Sequence, residues 1–185
     1  MSDIGDIAAL RQRIHDIEAN GTPKRNKRRK GVSDEDLSGS EAAFKKIVAL
    51  VNASDKSEFT LRERLARESF SPNDIDEAIE RARSYGFIND MRYAEVLIRS
   101  RLNQGRGMCG VERELRDQNI AIEDVEGWPY EFGVTDESEY QRALEVLKRN
   151  PSRSKNLRDG AYRKLMQKGY SSSVSASAAR SWVDG

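Results

Sequence analysis

From about residue 41 onward, apolar residues fall three and four positions apart, the spacing of one face of a helix. The pattern then returns at a period of 50 residues, twice. Ala43, Tyr93 and Ala143 align, as do Phe44, Ala94 and Leu144, and then Ile47, Leu97 and Leu147. In a second segment Leu61, Val111 and Ala161 align, as do Leu65, Leu115 and Leu165. Phe70, Ile120 and Tyr170 follow as an apolar plug just past the segment's end. Ser71, Ala121 and Ser171 begin a third segment, in which Ala78, Trp128 and Ala178 align, as do Ala82, Phe132 and Trp182.

Each unit therefore reads as three short helices. The first copy predicts helices over roughly 41–53, 58–68 and 72–85, with Ser71 as N-cap and Pro72 at the first helical position. The second predicts 90–103, 109–118 and 121–132, the last interrupted by Gly127 and Pro129. The third predicts 136–149, 155–168 and 172–183. Strand-like alternation is scarce. The expected fold is all-α: three tandem three-helix repeats, helix-turn-helix-like, forming an elongated curved molecule. The expected organisation is an N-terminal arm over 1–39 and repeats over 40–89, 90–134 and 135–185. A unit of this size buries too little surface to be stable alone, so neighbours should pack together. Leu61, Leu65, Leu97, Leu115, Leu147, Leu165 and Trp182 are expected in the core.

The arm carries Ile4, Ile7, Leu10, Ile14 and Ile17 at spacings of three and four, the pattern of an amphipathic helix. A basic tract follows, with Lys24, Arg25, Lys27, Arg28, Arg29 and Lys30, and then a polar, acidic stretch. A solvated tail is one reading of the arm; a nonspecific DNA-binding arm touching phosphates through charge density is the other.

Composition narrows the function classes. Of 185 residues, 34% are charged and 37% hydrophobic, which suits small helical units with much exposed surface. One cysteine, Cys109, excludes an internal disulfide framework and multi-thiolate metal binding. With no signal-peptide pattern and no apolar run of membrane-spanning length, a soluble, cytoplasmic protein is expected. The single histidine, His15, lies in the arm, and no Walker-type loop or Cys/His ligand pattern occurs. Neither an enzyme nor a cofactor is expected. Gly105-Arg106-Gly107-Met108-Cys109-Gly110 spells G-x-G-x-x-G, but a helical segment precedes it instead of the strand a dinucleotide fingerprint needs. Its aligned place is the link between first and second helices, so a turn is expected there, with a phosphate contact at the second helix's start as an added option.

Net charge is +1, unevenly placed. Residues 141–185 carry ten Lys/Arg against three Asp/Glu, whereas residues 91–140 carry six against eleven. An acidic middle and a basic end prefer different partners.

The stretch Tyr85-Gly86-Phe87-Ile88-Asn89-Asp90-Met91-Arg92-Tyr93-Ala94 resembles the junction signature of the RecX family, regulators of the RecA recombinase. Arg99, Arg101, Gly105, Glu114 and Leu115 resemble the family's next block, and the family's three tandem three-helix units match the repeat. The resemblance covers about residues 41–185. Asn89 departs from the family's usual acidic residue, and Gln118-Asn119 from its common Lys-Gly; Asn suits both a helix N-cap and a left-handed helix end.

The resemblance implies a non-enzymatic regulator that binds RecA and its filament on single-stranded DNA, inhibits ATPase and strand exchange, and favours disassembly. Weak direct DNA binding, a monomeric state and a place in recombination, DNA repair and the SOS response are part of that expectation. The candidate filament or DNA contacts are Arg99, Arg101, Arg106 and Arg113 around the glycine link, and Arg153, Lys155, Arg158, Arg163, Lys164 and Lys168 in the third unit. Two rival readings are a helix-turn-helix DNA-binding protein and a structural protein–protein adaptor. The third segments DIDEAIERARSY, AIEDVEG and SSSVSASAARSW are acidic or serine-rich, a poor match to base readout.

Overall fold

The structure, a computed structural model, describes residues 38–185. The amphipathic helix suggested by Ile4–Ile17 and the basic tract Lys24–Lys30 lie outside the described residues.

The described chain is all-helical. Its order is α1 (Gly39–Ala53), α2 (Glu58–Arg67), α3 (Pro72–Ser84), α4 (Asp90–Asn103), α5 (Met108–Arg116), two 3-10 turns (Ile122–Asp124 and Tyr130–Phe132), α6 (Asp136–Arg149), α7 (Leu157–Gln167) and α8 (Ser172–Asp184). Short polar side chains start these helices by accepting an otherwise orphaned N–H. Ser57 caps α2, Ser71 caps α3, Asn89 caps α4, Asn156 caps α7 and Ser171 caps α8. Thr135 and Ser138 form a reciprocal capping box at α6.

The helix expected over 121–132 does not form; two 3-10 turns take its place. Ala121 stands where Ser71 and Ser171 cap, and has no oxygen to offer the first turn. Gly127, at φ +77°, and Pro129 then stop any longer run. Asn119 does adopt the left-handed conformation, with φ +59°, in the place a glycine fills in the third repeat.

Three apolar clusters form the core, one per repeat. The first gathers Ile47, Leu61, Leu65, Ile79 and Ile88, the second Leu97, Ile98, Val111, Leu115 and Val134, the third Leu147, Ala161, Leu165 and Tyr170. In the first and third, the opening helix packs on the closing one, α1 on α3 and α6 on α8. In the second, Ile120, Ile122 and Val125, with Trp128 and Phe132 against them, do the work of the missing helix. All the leucines expected in the core are buried, whereas Trp182 is only half-buried at the edge of the third cluster.

Consecutive repeats interlock through contacts whose donors repeat at the 50-residue period, while the accepting carboxylates, Asp90 and Glu139, lie one position out of register. Between the first and second, the Glu58 N–H at the start of α2 donates to Asp90 Oδ1 (2.8 Å), and Gln118 Oε1 accepts from the Ser57 and Thr60 hydroxyls (2.6 and 2.7 Å). Between the second and third, the Met108 N–H at the start of α5 donates to Glu139 Oε1 (2.7 Å), and the Gly107 N–H to the Lys168 carbonyl (3.0 Å). Each time, a carboxylate from the next repeat's first helix satisfies the start of the preceding repeat's second helix. The carboxylate also complements the positive end of that helix. The Tyr170 hydroxyl adds a bond to the Gly105 carbonyl (3.1 Å). Burial pushes its pKa up to about 12, so it stays a donor well above neutral pH.

Asp90, in the first junction, is a carboxyl whose charge burial opposes. Burial pushes its carboxyl above the ordinary aspartate range, the Glu58 N–H pulls against that, and the Glu58 carboxylate adds to the rise. A raised pKa means the folded chain holds the proton more tightly than the unfolded chain. This group's contribution is therefore full below an unfolded pKa of about 4 and declines as pH rises through the raised value. Asp90→Asn keeps an oxygen for the Glu58 N–H without the charge. Urea unfolding at pH 7 should find it at least as stable as the parent, with any gain gone below about pH 4. Asp90→Ala, losing the acceptor, should cost about 1 kcal/mol. Equal losses for both variants at pH 7 would show that the charge, not the acceptor, holds the junction.

Candidate nucleic-acid and protein interface

The glycine link between α4 and α5 is a packing device. The N–H groups of Gly107, Met108 and Gly110 are taken by the Lys168 carbonyl, the Glu139 carboxylate and the Gly169 carbonyl. These contacts oppose a phosphate at the start of α5: three of the first donors are used, and Glu139, buried to 6% exposure, already supplies the negative charge.

Around this link the four candidate cations separate in role. Arg101 is an internal clasp: its Nε donates to Glu114 Oε2 at 2.7 Å and its Nη2 to the other carboxylate oxygen. Arg101 thereby holds the Glu114 carboxyl below the ordinary range against the effect of burial, with Arg106 assisting by charge alone. Arg99 is exposed and lies over the Phe132 ring, 4.6 Å from its centre, an arrangement that orients the guanidinium while leaving its edge to solvent. Arg106 and Arg113 are exposed and make no ion pair among the described residues.

The third repeat presents a more concentrated patch. In the link between α6 and α7, Ser152 and Ser154 turn inward, while Arg153 and Lys155 are exposed, and Arg158 follows on the first turn of α7. None of these three makes an ion pair among the described residues. Lys164 has a different job: its Nζ donates to the carbonyls of Asn150 and Pro151, the latter at 3.3 Å, and ties the link to α7. Arg163 is exposed, with Nε on the Asp159 carbonyl at 3.3 Å. Lys168 is half-buried and lines a cleft of about 390 Å³ with Gly105, Arg142, Glu145 and Arg149. The six third-repeat candidates thus divide into an exposed edge (Arg153, Lys155, Arg158, Arg163), a tether (Lys164) and a cleft residue (Lys168). Arg142 escaped the sequence reading, although its alignment with Arg92 at the 50-residue period was the available signal.

Other chemistry is sparse. Burial, with Glu139 and Glu112 adding to it, pushes the Cys109 thiol up, away from nucleophilic reactivity. Among the described residues no cluster of three or more His, Cys, Asp or Glu is arranged to hold a metal ion, and no helix is long and apolar enough to cross a membrane.

No family model matches the chain. It is similar to regulatory protein RecX of Haemophilus influenzae strain PittEE, 34% identical over 86 residues, 46% of this chain and 57% of that protein. It is similar also to regulatory protein RecX of Syntrophotalea carbinolica, 37% identical over 92 residues, 45% of this chain and 60% of that protein. The matched stretches thus span little more than half the length of these curated relatives. The fold is similar to the crystal structure of RecX from Lactobacillus salivarius, with a TM-score of 0.60 at 16% identity over 80% of this chain and 98% of that one. A second crystal structure of regulatory protein RecX gives a TM-score of 0.60 over 91% of this chain and 84% of that one. The residues of the Tyr85–Ala94 junction, the sequence relatives and the fold agree: this chain resembles the RecX regulatory proteins in sequence and shares the fold of the solved RecX structures.

Proposed function

We propose that the chain regulates the RecA recombinase, binding it and its filament on single-stranded DNA, lowering ATP hydrolysis and strand exchange and favouring filament disassembly. The observation that carries this reading is the similarity to regulatory RecX proteins. Its regulation is non-enzymatic, exerted by contact, and takes place in the cytoplasm.

The exposed edge of Arg153, Lys155 and Arg158 supports a backbone-directed, salt-sensitive contact with DNA or with an acidic filament surface. Arg99, Arg106 and Arg113 form the second contact patch. Arg101 and Lys164 support these patches from within, as clasp and tether. The basic arm, Lys24–Lys30, adds nonspecific attraction to phosphates. A base-reading helix-turn-helix function is less well supported: the second repeat has no third helix, and α3 carries Asp74, Asp76, Glu77 and Glu80 on its surface.

The test is DNA-dependent ATP hydrolysis by the RecA protein of the same cell, with this protein titrated in. Inhibition well below one copy per recombinase is expected for capping or disassembly, and inhibition near equal amounts for binding along the filament. No effect, with the binding of both proteins checked, would overturn the reading and favour an adaptor. Reversing Arg153, Lys155 and Arg158 to Glu should weaken filament binding and flatten its salt dependence, by about 2 in the slope of log affinity against log salt if all three meet single-strand phosphates. Unchanged affinity at low salt would remove this edge from the interface.

A further inference from the structure

The two inter-repeat junctions are built alike but differ in their charges, and one difference leaves a cation without its acid. In the first junction Arg92, on the opening helix of the second repeat, pairs with Asp55 in the preceding link at 3.1 Å. Fifty residues on, the same two positions are Arg142 and Gly105. Glycine has no carboxylate to offer, and both residues line the cleft of about 390 Å³. Arg142 Nη1 donates to Ser138 Oγ at 3.2 Å, but its Nε and Nη2 are buried and have no hydrogen-bond partner among the described residues.

A second difference adds to the first. Gln118, neutral and bonded to Ser57 and Thr60 in the first junction, corresponds to Lys168 in the second. Lys168 lines the same cleft, and its ammonium makes no ion pair among the described residues. Of the other charged lining residues, Arg149 and Glu145 pair with each other at 3.1 Å. The cleft therefore holds two cations in excess, one of them a guanidinium whose unsatisfied donors are costly to bury.

We propose that this cleft is a recognition site for an acidic segment of a partner protein, which delivers one Asp or Glu carboxylate to Arg142 beside Lys168. The inserted carboxylate takes the place that Asp55 occupies in the first junction. Nε and Nη2 are the same pair of nitrogens with which Arg101 grips both oxygens of Glu114, so the chain itself shows which ligand fits this edge. To receive the carboxylate, Arg142 turns this edge, buried in the free chain, into the cleft that it lines. A carboxylate on a short side chain suits the site better than a phosphate strand. The neighbouring phosphates of a strand would meet Glu145 at the rim, whereas a peptide brings a single charge.

The test uses the full chain and two blocked pentapeptides of glycine and serine, one with a central aspartate and one with asparagine. The Arg142 Nε–H resonance is followed by NMR as each is added. The aspartate peptide should shift it saturably and the asparagine peptide should not. Lys168→Gln, which installs the residue found in the first junction, should weaken binding at least threefold, and Arg142→Gln, followed through the backbone N–H resonance of Gly105 in the same cleft, should abolish it. An eight-nucleotide oligothymidylate is run in parallel. A shift with the oligonucleotide but not with the aspartate peptide would overturn the proposal in favour of phosphate. So would the absence of any shift, or aspartate-peptide binding that both substitutions leave unchanged. None of these outcomes depends on whether the partner is a recombinase.

Discussion

Gly107→Ala is expected to lower the unfolding free energy by about 3 kcal/mol, an unusually large effect for a single added methyl group. A Cβ there would lie 2.4 Å from the Tyr170 Cα and N and 2.5 Å from the Gly169 carbonyl carbon. All three are main-chain atoms, so no side-chain rotation relieves the contact. Separating the strands of chain at this point also lengthens the Gly107 N–H bond to Lys168 and the Gly110 N–H bond to Gly169. The natural control is Gly86→Ala. Gly86 also has a positive φ, +71°, but an added Cβ there meets nothing within 4 Å. It should lose only about 1 kcal/mol, the strain of the left-handed conformation. Urea unfolding followed by circular dichroism compares the two directly. If Gly107→Ala proves no worse than Gly86→Ala, the second and third repeats do not meet as closely as described. The same substitution should weaken the proposed filament contact, because the exposed Arg153–Arg158 edge is placed by the third repeat.

Truncation of the core leucines should cost as much or more. Leu65, Leu115 and Leu165 occupy equivalent positions, each has 0% exposure, and each sits in a different repeat's cluster. Replacement by alanine should cost about 2–5 kcal/mol at each, the lost transfer energy plus the cavity left behind. Against a total stability of roughly 5–15 kcal/mol for a domain, any one of them removes a large share. Leu157→Ala, at a leucine 45% exposed, should stay within about 0.5 kcal/mol and serves as the control. Measured costs for the three core variants close to that of Leu157→Ala would mean that the clusters are not the source of stability.

The helices were largely legible because their signals are local. Apolar residues at helical spacing, repeated three times, identify the faces that must leave water. Ser57, Ser71, Asn89, Thr135 and Ser171 mark the starts, since an N-cap needs only a short polar side chain and two or three residues of chain. The missing third helix of the second repeat was legible in part, through Gly127 and Pro129; that Ala121 removes the cap completes the explanation. Trp182 shows the limit of periodicity, which places a residue on a face but does not say whether another element covers it fully.

The cations were far less legible. A run of Arg and Lys in a sequence has no indication of which carboxylate each will meet. Arg101 meets Glu114 and Lys164 meets two carbonyls of its own link, whereas Arg153, Lys155 and Arg158 meet no acid among the described residues. Likewise the helix expected before the G-x-G-x-x-G stretch is present, Asp90–Asn103. That the stretch's N–H groups are consumed by Glu139, Lys168 and Gly169 depends on a repeat lying more than two dozen residues further along the chain.

The helical class, the 50-residue repeat, most helix starts and the buried leucines are all present in the order of residues along the chain. Those follow from the chain's nearest neighbours and from the period of its apolar residues. How one repeat grips the next, which cations are spent inside the molecule, and that Arg142 shares a cleft with a glycine where Arg92 pairs with Asp55 came only with the folded arrangement. Such pairings depend on distances across the fold, which spacing along the chain does not encode.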